Sequence, residues 1–233
     1  MLLKISQPKN LNAQLVDVIG QRIVQGHYKE GEQLPVEADL CAEFGVSRPI
    51  MREATKILSA KGLLTSRPRV GTVVKDRLHW NLLDSEVLTW VTKSLPAAQY
   101  LDMMFEARMA IEPCAAELAA RNASESDIEV IRGAYEDMAA APTISASLEP
   151  DIRFHQAIMD ATHNDVIRYI GRTLHNALAI SIRLTSWHSD IHAASLPRHE
   201  AIYVAIAERD ADAAVLATKL LLRESRKDFD AKE

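Results

Sequence analysis

Apolar residues at Leu11, Leu15, Val18, Ile19, Ile23 and Val24 recur at helical spacing and stop before Gly26 and the turn-prone Tyr28-Lys29-Glu30-Gly31. The pattern predicts one amphipathic helix with a glycine stop. After Leu34-Pro35, a short helix over 36–44 would bury Leu40, Cys41 and Phe44 and end at Gly45, the turn glycine of a helix-turn-helix. Ser47 is placed to cap a third helix. There Ile50, Ala54, Ile57 and Leu58 form the apolar stripe, which turns Arg48, Met51, Arg52 and Lys56 outward, and Gly62 ends the helix. Leu63-Leu64-Thr65-Ser66 and Thr72-Val73-Val74 flank the turn Arg67-Pro68-Arg69-Val70-Gly71, so a small hairpin follows. Three helices and a hairpin make a winged helix-turn-helix.

Beyond this the pattern changes. Residues 75–83 are polar apart from Trp80-Asn81-Leu82-Leu83, expected to make a core contact, and the rest of the chain carries almost no strand signal. Helical periodicity is predicted at about 84–94, 97–122, 124–140, 150–162, 164–188, 196–208 and 210–229. Asp84 and Ser124 are capping residues, Asp127 adds negative charge to a first turn, and Pro150 suits a first helical position. The expected organisation is a DNA-binding unit over 1–76, a linker and connecting helix over 77–95, and an all-α bundle over 96–233.

Charge divides the chain in the same way. Residues 1–77 carry 12 basic against 8 acidic residues, and residues 78–233 carry 15 against 24. A basic front with an acidic back points to nucleic-acid contact by the first segment only. Only Gly133 and Gly171 occur after residue 77, so no glycine-rich phosphate loop is present. Cys41 and Cys114 lie in apolar helical patterns without CxxC spacing and read as small buried hydrophobes. No apolar run approaches the roughly 18 residues of a spanning helix, and the start MLLKISQPKN lacks the layout of a signal peptide, so no membrane partner and a cytoplasmic location are expected.

Ser47, Arg48 and Arg52 fall in the first turn and a half of the third helix, on its outward side, where a helix entering the major groove presents its reading residues. Arg52 suits bidentate pairing with a guanine edge; Ser47 and Arg48 suit phosphate or base contacts. Any one exposed arginine is ordinarily a solvated charge, but three polar groups after a turn glycine form a set. Arg67 and Arg69 at the hairpin tip could reach a phosphate or the minor groove.

The series Leu34-Pro35-x-Glu37-x-x-Leu40, Gly45-Val46-Ser47-Arg48-x-x-x-Arg52-Glu53-Ala54, Gly62-Leu63 and Gly71-Thr72-x-Val74 resembles the GntR superfamily of bacterial transcription regulators. Glu106-x-Arg108-x-x-x-Glu112, Asp151-x-x-x-His155 and Arg198-His199-Glu200-Ala201-Ile202 resemble the effector-binding domain of its FadR-type (FCD) branch. The segment 80–91 with Glu37-Ala38-Asp39-Leu40 is similar to D-galactonate-responsive repressors within that branch. The resemblance implies a homodimer on a palindromic double-stranded operator, Glu37 among the residues at the DNA face, and a small carboxylate effector such as a sugar acid. It departs at Ala38, where the family often has Arg, and at Arg69, where it often has Gly.

Asp151 and His155 are four apart and share a helix face, where such a pair is ordinarily an exposed helical salt bridge or hydrogen bond but can also grip one ion. The resemblance adds His199 from a later helix, a carboxylate and two imidazoles suited to Zn, Ni, Mn or Fe, and it makes all three effector-site residues as well. Many relatives supply a further histidine where this chain has Leu221, leaving three protein ligands. His163 reads as a loop residue, and His175, His188 and His192 receive no role. The family pattern turns Arg108 into the bundle, where its charge requires an anion. A bound carboxylate, Glu106, Glu112 or Asp151 could each supply it, and Trp187 and Arg183 could line the same cavity.

Two other classes compete. A metal-dependent hydrolase could use the Asp/His/His set to activate water, yet it lacks an obvious general base and leaves the winged helix unexplained. A helical adaptor would require neither a buried Arg108 nor a reading helix.

Overall fold

The computed structural model describes residues 11–185 and 189–230, without the side chains of 175–176, 183–192 and 229–230. It divides into two compact units, the first ending at Leu95 and the second beginning at Pro96.

In the first unit, α1 (Leu11–Val24), α2 (Glu37–Phe44) and α3 (Arg48–Ala60) enclose a core of Leu15, Ile19, Leu40, Ala54 and Leu58. Gly45 takes a left-handed φ of 67°, which lets the chain leave α2 and enter α3 within a few residues. β1 (Leu64–Arg67) and β2 (Gly71–Val74) pair antiparallel from Leu64 opposite Val74 to Arg67 opposite Gly71. This is a winged helix-turn-helix. Met51, expected on the outer face of α3, is buried, because it stands three before Ala54 and seven before Leu58 on the same helical stripe. Trp80 enters the core and donates its Nε1 to the Lys75 carbonyl at 3.1 Å, whereas Leu82 and Leu83 are exposed, contrary to the expected core contact.

A single 3-10 turn at Arg77–His79 leads to α4 (Ser85–Lys93), capped by Asp84, whose carboxylate accepts from the backbone amides of Glu86 and Val87. Trp90 anchors α4 to α1. Its Nε1 donates to Asp17 Oδ1 at 2.7 Å, and its ring lies flat on the space left by Gly20, where a Cβ would come within 2.7 Å of the ring.

Among the described residues the regular structure of the second unit is helical: α5 (Ala97–Asn122), α6 (Glu125–Ala139), α7 (Ile144–Ala161), α8 (Asp165–Thr185), α9 (Ser189–Ala207) and α10 (Ala211–Asp230). Ser124 and Asp127 close a full capping box at the start of α6. Two expected helix starts are corrected. α7 begins at Ile144 under a Thr143 cap, with Pro150 inside it, because Ser147, Pro150, Asp151 and Phe154 continue one buried face and packing outweighs the missing proline amide. Likewise α9 extends back to Ser189 and contains Pro197. Neither cysteine is buried: Cys41 is half-buried and Cys114 is exposed on α5. The core of this unit centres on Ala116, Ala119, Ile131, Phe154, Ile202 and Leu221. Among the described residues no helix is long and apolar enough to cross a membrane.

Candidate functional site

Two sites emerge, one in each unit. On the first, Ser47 at the N-cap of α3 and Arg48 and Arg52 on its outer side are exposed, Arg67 and Arg69 are exposed at the hairpin tip, and half-buried Glu37 opens α2. The fold therefore keeps five of the six sequence-predicted groups on the surface and brings Glu37 to Arg52, whose Nε donates to Glu37 Oε2 at 2.8 Å. Arg69 has a φ of 64°, the left-handed region that favours glycine, the residue that the family resemblance leads one to expect at this position.

In the second unit Asp151 and His155, one turn apart on α7, meet His199 from α9. Asp151, His155 and His199 are buried and each offers a ligand atom, all within 4.8 Å of one another. Asp151 Oδ1 stands 3.2 Å from His155 Nε2 and 3.5 Å from His199 Nε2. The outer nitrogens are fixed. His199 Nδ1 lies 2.9 Å from the Ser195 carbonyl, which can only accept, so the proton is on Nδ1 and the Nε2 lone pair faces the cluster. His155 Nδ1 donates in the same way to Glu112 Oε2 at 3.1 Å. Asp151 Oδ1 and His199 Nε2 are buried without a well-formed hydrogen bond among the described residues. A carboxylate and two imidazoles converge here, with Asp151 Oδ1 and His199 Nε2 left unpartnered and His155 Nε2 lying between Arg108 and Asp151, and a set of one carboxylate and two imidazoles fits a divalent transition metal. Leu221, at the place of the relatives' further histidine, is buried in the apolar core and supplies no donor.

Arg108 is buried on α5 and already has an internal anion. Its Nε donates to Glu112 Oε1 at 2.6 Å, while Nη2 lies 3.3 Å from His155 Nε2. Of the partners considered, Glu112 holds it, and Glu106 is exposed to solvent. Burial would push the Glu112 carboxyl upward, but Arg108 and His155 overcome this and hold it at about 2. Burial likewise works against a charged His155, yet Glu112 and Asp151 raise it to about 9. Desolvation opposes ionisation of Asp151 as well, and His199 and His155 hold it well below the carboxylate range. Two buried carboxylates thus stand beside a guanidinium and an imidazole whose protonation they favour, and a cation held by His155 would displace that proton.

Beside this network a narrow cavity of about 20 Å³ runs past Met104, Arg108, Glu112, His155, Gln156 and Met159. That is room for about one water, so a larger guest requires side chains to move. Flexible methionines in its wall can do so. Sequence reasoning missed Gln156, which carries no pattern, and the link from Glu112 to His155, whose only signal is the four-residue spacing from Arg108. The side chains of Arg183, Trp187, His175, His188 and His192 lie outside the described residues. His163 sits in the turn after α7 and bonds Asp127 at 2.8 Å, away from the cluster's three ligands.

A winged helix-turn-helix followed by an all-α domain is the architecture of a DNA-binding transcription regulator. The chain belongs to the GntR family: residues 11–74 match the family described as bacterial regulatory proteins, gntR family, and residues 103–224 match the FCD domain. It is 34% identical over 221 residues to the galactonate operon transcriptional repressor of Escherichia coli K12, covering 93% of this chain and 95% of that protein. It is also 34% identical over 223 residues to the uncharacterized HTH-type transcriptional regulator YieP of the same organism, covering 94% and 96%. Among solved structures, the Lar regulator of the Listeria monocytogenes agr system has the same fold, with a TM-score of 0.64 at 19% identity over 98% of this chain and 100% of that one. These relatives are transcription regulators and not enzymes, which sets aside the hydrolase.

Proposed function

We propose that this protein is a homodimeric repressor that binds a palindromic operator and is controlled by a small carboxylate, a sugar acid of the galactonate type, with a divalent metal in the second unit. DNA is read by Ser47, Arg48 and Arg52 on α3 and braced by Arg67 and Arg69 of the wing. One winged helix offers few base contacts, so specificity calls for two copies on a twofold site.

The observation that carries the sensing half is the pair of buried, unsatisfied atoms, Asp151 Oδ1 and His199 Nε2, converging with His155 next to a cavity bordered by Arg108. Asp151, His155 and His199 would hold the cation, which supplies a Lewis-acidic anchor for an oxygen ligand. Arg108 supplies the charge for a carboxylate, and Glu112 keeps Arg108 and His155 in place. The name of the Escherichia coli relative supports a sugar acid as the effector class.

Calorimetry on metal-stripped protein, with zinc, nickel or manganese and a panel of aldonates and ketodeoxy acids, tests this reading. Metal and acid are expected to bind cooperatively, each raising the other's affinity by the same factor. His155→Ala and Arg108→Ala are each expected to abolish the acid's effect on operator binding while leaving operator binding without acid intact. Absence of binding by every acid, together with wild-type behaviour of His155→Ala, sinks the sensing site. Sedimentation at micromolar concentration checks the dimer, expected at twice the chain mass of 25.9 kDa.

A further inference from the structure

We infer that Glu37 is a positioning residue for base readout: it grips Arg52 at Nε, so that the terminal amino groups of the guanidinium face outward to a guanine edge instead of folding onto a phosphate. This rests on α3 being the reading helix.

The pair is fixed by the fold and not by local sequence. Glu37 and Arg52 are 15 residues apart, on different helices, and meet because the Gly45 turn sets α2 across α3. Their exposures differ as the role requires: the Arg52 side chain is 70% exposed and the Glu37 side chain 35%. An arginine that open to solvent has large rotamer freedom, and a bond at Nε restrains the plane of its fork. Five N–H donors belong to the guanidinium; with Nε occupied, both terminal amino groups remain for the two acceptors, N7 and O6, of guanine.

A carboxylate at a DNA-facing surface is repelled by phosphate, so its presence there needs a compensating role. Arg52 through its hydrogen bond, and Arg48 through its charge, hold Glu37 below its ordinary range, so it remains ionised beside DNA. That negative charge lowers the attraction of both arginines for any phosphate, whereas the geometric match of Arg52 to one base is retained. Specific binding therefore gains over non-specific binding. A residue that merely supported α2 would affect both alike.

The test uses the full chain, a duplex selected by the wild-type protein from a randomised pool, and a scrambled duplex of equal length, at one salt concentration. Glu37→Ala is expected to weaken the selected duplex about tenfold and to tighten the scrambled one. Its lost discrimination should fall at the base pair that Arg52→Ala also relaxes, and Glu37→Ala should have no further effect in an Arg52→Ala background. Glu37→Gln, which keeps an accepting oxygen, should retain much of that base preference. Thermal melting confirms that each variant is folded. Equal weakening of both duplexes, an undiminished effect of Glu37→Ala beside Arg52→Ala, or tighter binding of the selected duplex overturns the role. Wild-type binding by Glu37→Ala next to a defective Arg52→Ala overturns it alone; wild-type binding by Arg52→Ala overturns the reading helix with it.

Discussion

Glu112 on α5 faces His155 on α7 with its Oε2 3.1 Å from the imidazole Nδ1, and so decides which edge of the ring is turned toward Asp151 and His199. Partners of this kind orient a ligating histidine and raise its basicity. Glu112→Gln is expected to weaken zinc binding about 10–100-fold. It should also lower thermal stability, because Arg108 loses its buried counter-charge. Titration of zinc into metal-stripped protein checks the first effect; an unchanged dissociation constant separates Glu112 from the cation cluster.

The two classes of arginine at the DNA face should behave differently. Arg52→Ala is expected to cost about 1–3 kcal/mol at the operator and to relax preference at one base pair. Arg69→Ala should weaken all duplexes evenly and reduce the salt dependence by about one unit of slope. Binding isotherms across a salt series distinguish them, and identical slopes for wild type and Arg69→Ala remove the wing tip from the interface.

Arg69 also carries a conformational cost of its φ of 64°. Replacing it with glycine relieves that cost, so Arg69→Gly should raise or hold the melting temperature of the first unit while still weakening DNA binding. A lowered melting temperature would show that the arginine side chain contributes more to the turn than its backbone costs.

Gly20 is needed for a different reason, since the ring of Trp90 occupies the volume of a Cβ there. Gly20→Ala is expected to destabilise the first unit by about 1–3 kcal/mol through overpacking. Urea unfolding followed by tryptophan fluorescence, to which Trp80 and Trp90 of this core both contribute, reports this, and a midpoint equal to wild type contradicts the packing described.

The first unit was legible because its punctuation is dense: Gly26, Gly45, Gly62 and the Arg67–Gly71 turn mark nearly every boundary. Met51 was misplaced because its neighbours Arg48 and Arg52 drew the outer face too wide, although its spacing to Ala54 and Leu58 already put it inside. In the helical domain, proline was the misleading signal. Pro150 looks like a start, yet it lies within a helix whose buried face runs on through it, and the helix expected from 196 likewise begins earlier, with Pro197 inside it. Asp151 and His155 were readable from spacing, His199 only through its family motif, since no local pattern links α7 with α9. Arg108 was placed correctly in the interior, but its partner was one of several acids until packing brought Glu112 within reach.

Among the described residues, one hydrophobic cluster surrounds Leu15, Leu58 and Trp90 and another surrounds Phe154, Ile202 and Leu221, with no member in common. Each cluster is built from its own half of the chain, so a substitution inside one leaves the packing partners of the other in place. A lineage can retune the α3 surface toward a new promoter while inheriting its chemical sense unaltered, or acquire a new metabolite signal while still addressing the same genes.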